Sequence, residues 1–101
     1  MTTPHRADKV FYTYIATNPA HTVLYTGVTN SLSLRMLQHR SKVNEGFTKR
    51  YNVCRLVHYE MFPTAMEAIA AEKRVKGWKR EKKMALIKEK NPDFIDLMDE
   101  T

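Results

Sequence analysis

Two residues one helical turn apart, Arg35 and His39, could together bind a phosphate group and transfer a proton beside it. Positions i and i+4 of a helix lie on the same side, and here they flank an apolar stripe that contains Leu32 and Met36. Arginine can bind phosphate oxygens through two parallel hydrogen bonds, and histidine can donate or accept a proton near neutral pH. The alternative is that both are surface residues whose stems cover apolar area, and the spacing alone favours that alternative.

Two tyrosines and a glycine are expected on one face of a β-hairpin. Tyr14 lies in "VFYTYIA", and Tyr25 and Gly27 share one face of "VLYTGV" because side chains alternate along a strand. If the strands pair, the two phenol rings lie side by side, and the bare backbone of Gly27 lets a ligand approach closely. The alternative is an aromatic cross-strand pair beside a β-bulge glycine, which is the safer interpretation of these residues alone.

A carboxylate, Glu72, falls in the middle of an apolar helical stripe. Steps of about 100° per residue place on that stripe Ala65, Ala68, Ile69 and Val75. A carboxylate that loses hydration in apolar surroundings needs a partner, a metal ion or a raised pKa.

The structural alternative for Glu72 is an ion pair. Its partner would be Lys73 or Lys76 on the neighbouring turn, or Arg35 across the fold. Glu67, by contrast, lies away from the stripe and is explained by a capping box in "TAME". We favour a functional role for Glu72 over the ion pair.

The elements that must position these residues can be read from the pattern of apolar and turn-forming residues. The predicted strands are 10–16, 23–28 and 54–61, and the predicted helices are about 31–40, 64–76, 78–90 and 93–98, with a polar, basic loop at 42–52. This order, ββαβααα, predicts one α/β (α+β) domain over residues 1–101, a small sandwich with a three-stranded, mainly antiparallel sheet flanked by helices.

Composition and charge narrow the class of protein. The chain has 101 residues, 17 Lys and Arg against 11 Asp and Glu, and a net charge of +6, with nine of the basic residues between Lys73 and Lys90. That stretch is either a solvated helix face or a surface for a polyanion. With a single cysteine and no apolar run long enough to span a bilayer, we expect a cytoplasmic protein without a disulfide or a membrane partner.

Taken together, these residues resemble the GIY-YIG nuclease superfamily, most closely its small, stand-alone bacterial branch, which is related to the N-terminal nuclease domain of the excision-repair incision enzyme. "YTY" (12–14) and "YTG" (25–27) stand at the two motifs that name the family, although Tyr12, Thr13 and Thr26 depart from its usual residues. "EGFTKRYN" and "NPDFIDL" look like further signatures of the branch, and the resemblance extends over about 10–97.

The resemblance implies which residues carry the reaction. Its catalytic set would be Tyr14, Tyr25, Arg35, His39 and Glu72. Glu72 would hold one Mg²⁺ or Mn²⁺ ion, which stabilises the leaving oxygen of a phosphodiester. Tyr25 would orient or deprotonate the attacking water with Tyr14 beside it, Arg35 would bind the non-bridging oxygens, and His39 would relay a proton or hold the phosphate. A further asparagine found in some relatives has only Asn91 as a candidate.

The implied activity is a metal-dependent endonuclease that acts on DNA rather than RNA, structure-selective or non-specific, in DNA repair or recombination. The expected nucleic-acid-binding residues are Lys49, Arg50, Lys73, Lys76, Lys79, Arg80, Lys82 and Lys83. Because larger relatives carry a separate DNA-targeting domain, a partner protein that supplies targeting is also expected. The alternative is a non-catalytic nucleic-acid-binding module whose tyrosines stack on bases and whose Glu72 is structural.

Overall fold

Strands and helices follow one another in the predicted order within residues 10–41 and 50–100, the parts of the chain that the computed structural model describes. The strands are β1 (Phe11–Thr17), β2 (Leu24–Thr29) and β3 (Arg55–Phe62), and the helices are α1 (Leu32–Ser41), α2 (Ala65–Lys76) and α3 (Arg80–Lys90), followed by a short 3₁₀ helix (Leu97–Glu100). The predicted α/β class and the order ββαβααα are confirmed. Most of the predicted loop at 42–52 lies outside the described residues.

β1 forms the centre of the sheet. The strand order is β2-β1-β3, and both neighbours run antiparallel to β1. The β1–β2 turn is held by the side chain of Asn18, whose Oδ1 accepts hydrogen bonds from the backbone N–H groups of Thr22 (2.9 Å) and Val23 (3.1 Å). The predicted hairpin is therefore present, and it fixes which residues of β2 lie opposite β1.

The two faces of the sheet bury different helices. Alternation along β1 turns Tyr14 and Ala16 toward α1, where Met36 packs against them, and turns Ile15 toward α2 and α3, where Val75 and Ile87 lie. The central strand thus has a core on each side. On the α1 side, Tyr14 lies against Arg35 and His39.

α2 begins and ends as its sequence predicts, but its buried face differs from the prediction. Thr64 accepts a hydrogen bond from the Glu67 N–H (3.2 Å), which is half of a capping box, and Gly77 caps the other end. Buried positions on α2 are Ala68, Ala71 and Val75, whereas Ile69 is 41% exposed. The predicted stripe was therefore wrong at Ile69. The Thr13 hydroxyl donates to the Ala68 carbonyl (2.7 Å), a close approach that favours alanines on the sheet-facing side.

The segment after α3 forms hydrogen bonds to a β-bulge in β3. Ile15 pairs with His58 and Ala16 with Leu56, so Val57 is the extra residue of the bulge. The Asn91 amide donates to the Val57 carbonyl (3.0 Å), and the Leu56 N–H donates to Asp96 (3.2 Å). These bonds satisfy backbone groups that the irregular ladder leaves without strand partners.

The final helix starts later than predicted. A helix at 93–98 was expected, but Phe94 adopts a positive φ of 54°, and the 3₁₀ helix spans Leu97–Glu100. Asn91 bonds both the carbonyl and the N–H of Ile95 (2.9 Å each), which holds a turn where the helix was expected.

Among the helices of the described residues, none is long and apolar enough to cross a membrane.

Candidate active site

Tyr14 joins the central strand to α1 through its hydroxyl group. The side chain is 0% exposed, and its oxygen accepts a hydrogen bond from Arg35 Nε (3.1 Å) and lies 3.0 Å from His39 Nε2. The two helix residues singled out by their spacing therefore meet on one phenol, and that phenol belongs to the first of the two tyrosine motifs.

The start of α1 sets this arrangement. Ser31 caps the helix, with its hydroxyl accepting from the Leu34 N–H (3.3 Å). From that start, Met36 is turned into the core and Arg35 and His39 lie on either side of it. Arg35 also donates to Gln38 (3.3 Å) through Nη1, so the guanidinium is held at two points.

Burial keeps both Tyr14 and His39 uncharged near neutral pH. Burial raises the pKa of Tyr14 and outweighs the opposing effect of Arg35, which favours the phenolate. Burial, together with the positive charge of Arg35, lowers the pKa of His39 to about 4. Both groups are therefore neutral hydrogen-bonding partners near neutral pH.

A hydrogen bond joins His39 to Tyr14. The Tyr14 oxygen accepts from Arg35 and shares a hydrogen bond with His39 Nε2, in which the tautomer of the histidine decides which atom donates. His39 Nδ1 is buried and has no hydrogen-bond partner among the described residues. The His39 side chain is 1% exposed, and it contacts Tyr14 from within the core.

Tyr25 lies diagonally across the hairpin from Tyr14 and nearer to the surface. Its partner in the ladder is Ala16, and its ring centroid is 6.2 Å from that of Tyr14 and 5.5 Å from that of His39. Tyr25 is only half-buried. Hydrogen bonds to Tyr14 and then to Tyr25 raise the pKa of Arg35, so one guanidinium serves both phenols.

Gly27 stands directly opposite Tyr14. A Cβ atom at residue 27 would lie 2.6 Å from the Tyr14 hydroxyl and 2.8 Å from Cζ, distances too short for real contacts. The Tyr14 ring, rather than a ligand, thus fills the space in front of the glycine backbone.

Glu72 reaches the same region from α2. Its side chain is 16% exposed, and its Oε2 lies 2.7 Å from the ammonium of Lys76, whose side chain is 54% exposed. The negative charge of Glu72 contributes to the raised pKa of Tyr14. The Glu72 hydrogen bond raises the pKa of Lys76, and Tyr25 adds to this effect, so both phenols lie near this pair. The ion pair expected as the structural alternative is confirmed for Lys76.

A metal ion at this place would have one carboxylate ligand from the protein. Within residues 10–41 and 50–100, no group of three His, Cys, Asp or Glu side chains could hold a metal. Mg²⁺ fits such a site nevertheless, because it commonly binds one or two carboxylates and keeps several waters. The ammonium of Lys76 marks a position beside Glu72 that a cation can occupy.

Comparison with known proteins identifies the family. Residues 10–85 match the family described as the GIY-YIG catalytic domain, a span that includes Tyr14, Tyr25, Arg35, His39 and Glu72. The chain belongs to the GIY-YIG family. Its resemblance to small stand-alone members is confirmed by the relatives that follow, and it has a nuclease-like fold.

Individual GIY-YIG relatives are of similar size. A UPF0213 protein of Staphylococcus saprophyticus is 36% identical over 66 residues, which cover 65% of this chain and 80% of the relative. A UPF0213 protein of Bacillus pumilus is 38% identical over 66 residues, covering 65% of this chain and 67% of the relative. The solution NMR structure of a UPF0213 protein from Bacillus halodurans superimposes with a TM-score of 0.55 at 28% identity, covering 91% of this chain and 97% of that one.

The basic residues of this GIY-YIG domain do not form one uniform surface. Arg80 donates to the carbonyls of His21 (2.7 Å) and Thr22 (3.2 Å), and the Lys82 ammonium lies 4.2 Å from the centre of the Trp78 ring. These two side chains therefore have intramolecular partners. Lys73, Lys79 and Arg50 are exposed, Lys83 is half-buried, and Lys49 lies outside the described residues.

Two polar residues of the "NPDFIDL" signature have structural roles. Asn91 is buried, and its amide bonds Val57 and Ile95, which accounts for it without a catalytic function. Asp96 forms an ion pair with Arg40 (2.6 Å) and so ties the end of α1 to the C-terminal segment. Sequence reasoning missed the Arg40–Asp96 pair, because a separation of 56 positions leaves no periodic signal.

Proposed function

We propose that this protein is a metal-dependent endonuclease that hydrolyses phosphodiester bonds, in DNA rather than in RNA. The observation that carries the proposal is the hydrogen bond from Arg35 to Tyr14 (3.1 Å), in a cluster that also contains Tyr25 and the Glu72 carboxylate. Phosphoryl transfer needs groups that stabilise developing negative charge and hold the reactants in position. A fixed guanidinium beside a phenol and a carboxylate that can bind a cation supplies such groups.

Tyr25 and Arg35 are assigned to the reacting phosphate. Tyr25, the less buried tyrosine, orients or deprotonates the attacking water. Arg35 donates to Tyr14, Gln38 and Tyr25, and a guanidinium has five N–H donors, which leaves donors for the non-bridging oxygens. Its positive charge also stabilises negative charge that develops on the Tyr25 oxygen or the phosphate.

Tyr14 and His39 are assigned as positioning residues. Both are buried and uncharged near neutral pH, and their shared hydrogen bond fixes the acceptor to which Arg35 donates. Removing either would let the Arg35 guanidinium move, although it would not remove a group that is assigned to the substrate. We assign no direct proton relay to His39.

Glu72 is assigned as the protein ligand of one Mg²⁺ or Mn²⁺ ion. When bound, that ion supplies Lewis-acid stabilisation of the leaving oxygen. The carboxylate would have to exchange the Lys76 ammonium for the ion.

Contacts to the nucleic-acid backbone come from exposed basic residues of α2, α3 and the segment near Arg50. Such contacts position the substrate without reading its sequence, so cleavage is expected to be non-specific or to select structure, as in repair or recombination. Substrate targeting by a partner protein belongs to this proposal as well.

The test is a cleavage assay on duplex, single-stranded and branched DNA and on matched RNA, each with Mg²⁺, Mn²⁺ or EDTA. The proposal expects metal-dependent cleavage by the wild type and cleavage slower by about 10²–10⁴-fold in Tyr25→Phe purified in the same way, which controls for contaminating nucleases. Tight binding without cleavage in any metal would instead assign the domain to nucleic-acid binding alone.

A further inference from the structure

Lys76 forms an ion pair with one carboxylate oxygen of Glu72. Its Nζ lies 2.7 Å from Glu72 Oε2, one helical turn away on the same side of α2. The carboxylate is mostly buried and the lysine mostly exposed, so the ammonium reaches Oε2 from the solvent side. An ion arriving from solution would approach by the same side.

A divalent ion and the Lys76 ammonium exclude each other at this oxygen. Mg²⁺ binds carboxylate oxygens at about 2.0–2.1 Å and demands near-octahedral geometry. An ammonium hydrogen-bonded to the same oxygen would overlap the ion or its waters, and the two positive charges would repel each other. Binding of the ion through Oε2 therefore requires Lys76 to leave.

The Lys76 side chain can move away from Glu72. Its stem has four carbons, more than half of the side chain is exposed, and its charge interacts with Tyr25 as well as with Glu72. The Tyr25 side is where the phosphodiester lies in the proposed reaction. Lys73, by contrast, is adjacent to Glu72 in sequence, a spacing at which helical side chains do not face each other.

We infer that Lys76 is a displaceable internal cation: it neutralises Glu72 while no divalent ion is bound, and when the ion binds it turns to the Tyr25 side of the site to contact a substrate phosphate. This inference rests on the proposed function, because it takes Glu72 to be the metal ligand. It predicts that the lysine weakens metal binding in the absence of nucleic acid and strengthens substrate binding in the presence of the metal.

The test is Mn²⁺ binding to the protein without nucleic acid, measured by electron paramagnetic resonance. Lys76→Gln should bind Mn²⁺ about two- to fivefold more tightly than the wild type, the range expected when a competing ion pair is removed. Lys76→Arg should stay near the wild type because it restores the competitor. Lys73→Gln is the matched control for the change in net charge and should have little effect.

Three results would overturn the inference, and they are distinguishable. If Mn²⁺ binds the wild type and Lys76→Gln equally and binding disappears in Glu72→Gln, the metal site stands and Lys76 is only a helix-surface pair. If none of the variants binds Mn²⁺, the metal site fails and the inference fails with it. A tightening that Lys73→Gln reproduces would also contradict it, since it would be an effect of overall charge.

A second measurement follows the released ammonium. With saturating Mn²⁺, Lys76→Gln should raise KM for nucleic acid while kcat changes little. An unchanged KM in Lys76→Gln would contradict a contact between Lys76 and the substrate.

Discussion

Tyr14 and Gly27 face each other across the β1–β2 ladder, and the tyrosine ring fills the space that a side chain at residue 27 would need. The ring cannot easily retreat, because its hydroxyl is held by Arg35 and His39 on α1. The glycine of the second motif and the tyrosine of the first are therefore one structural unit. This relationship explains why a glycine stands in a strand interior, where its lack of a side chain is otherwise a cost.

Gly27→Ala tests this unit. The added methyl group would collide with the Tyr14 hydroxyl at 2.6 Å, so we expect a loss of about 1–3 kcal/mol in the free energy of unfolding, as for other overpacked sites. Gly77→Ala is the matched control, because the nearest atom to its added Cβ is 3.6 Å away and its φ of −79° suits alanine. Urea denaturation of both variants decides. Equal stability of the two variants would contradict this prediction, because it would show that the Tyr14 ring can move to make room for the methyl group.

The two tyrosines are expected to respond differently to loss of the hydroxyl. Tyr14→Phe leaves His39 Nε2 buried without its partner, so it should lower the free energy of unfolding by about 1–3 kcal/mol. Tyr25→Phe should fold nearly as the wild type but reduce cleavage by about 10²–10⁴-fold, the usual contribution of a positioned acid–base group. Thermal melting and rate measurements on both variants separate the roles, and a fully active Tyr25→Phe would make Tyr25 an aromatic packing residue.

Stability should fall between pH 6.5 and about 4 because of His39. The unfolded chain binds a proton at this histidine near its ordinary pKa of 6.5, whereas the folded chain does so only near 4. The unfolded state therefore binds more protons in this window, and stability that is complete above pH 6.5 is lost as the pH falls, by about 3 kcal/mol at most. His58 contributes in the same direction, since burial also lowers its pKa.

Denaturation curves from pH 7 to pH 4 on the wild type, His39→Gln and His58→Gln measure these contributions separately. His39→Gln should show a flatter pH dependence than the wild type. An unchanged slope in that variant would mean that His39 titrates normally in the folded protein.

The basic surface should divide into binding and structural residues. Replacing Lys79 and Lys83 by glutamine should flatten the salt dependence of binding to duplex DNA by about 0.9 for each phosphate that the variant no longer neutralises. Arg80→Gln should instead lower the melting temperature, because its guanidinium bonds the β1–β2 turn at His21 and Thr22. An unchanged salt slope in the variant that lacks Lys79 and Lys83 would place the binding face elsewhere.

The sequence predicted the elements well where local signals mark them. Thr64 and Gly77 mark the ends of α2, and Asn18 marks the hairpin turn; each acts through its own neighbours in the chain. It also predicted that Arg35 and His39 share one side of α1, which follows from helical spacing alone.

Predictions that depend on contacts between distant segments were less complete. The exposure of Ile69 follows from how closely α2 approaches β1, which the periodicity of α2 does not contain. Likewise, the turn that delays the last helix forms because Asn91 bonds the bulge at Val57. The greater burial of Tyr14 relative to Tyr25 depends on the central position of β1 in the sheet.

The measurement that tests the central claim most directly is nucleic-acid cleavage by Glu72→Gln, with Glu67→Gln as the matched control on the same helix. Glu72→Gln should melt near the wild type, because an ion pair with an exposed lysine contributes only about 0–1 kcal/mol. It should nevertheless lose cleavage at any practical Mg²⁺ or Mn²⁺ concentration while still binding nucleic acid, whereas Glu67→Gln cleaves at the wild-type rate. Wild-type cleavage by Glu72→Gln, or cleavage by the wild-type protein that persists in EDTA, would contradict a metal-dependent site at Glu72.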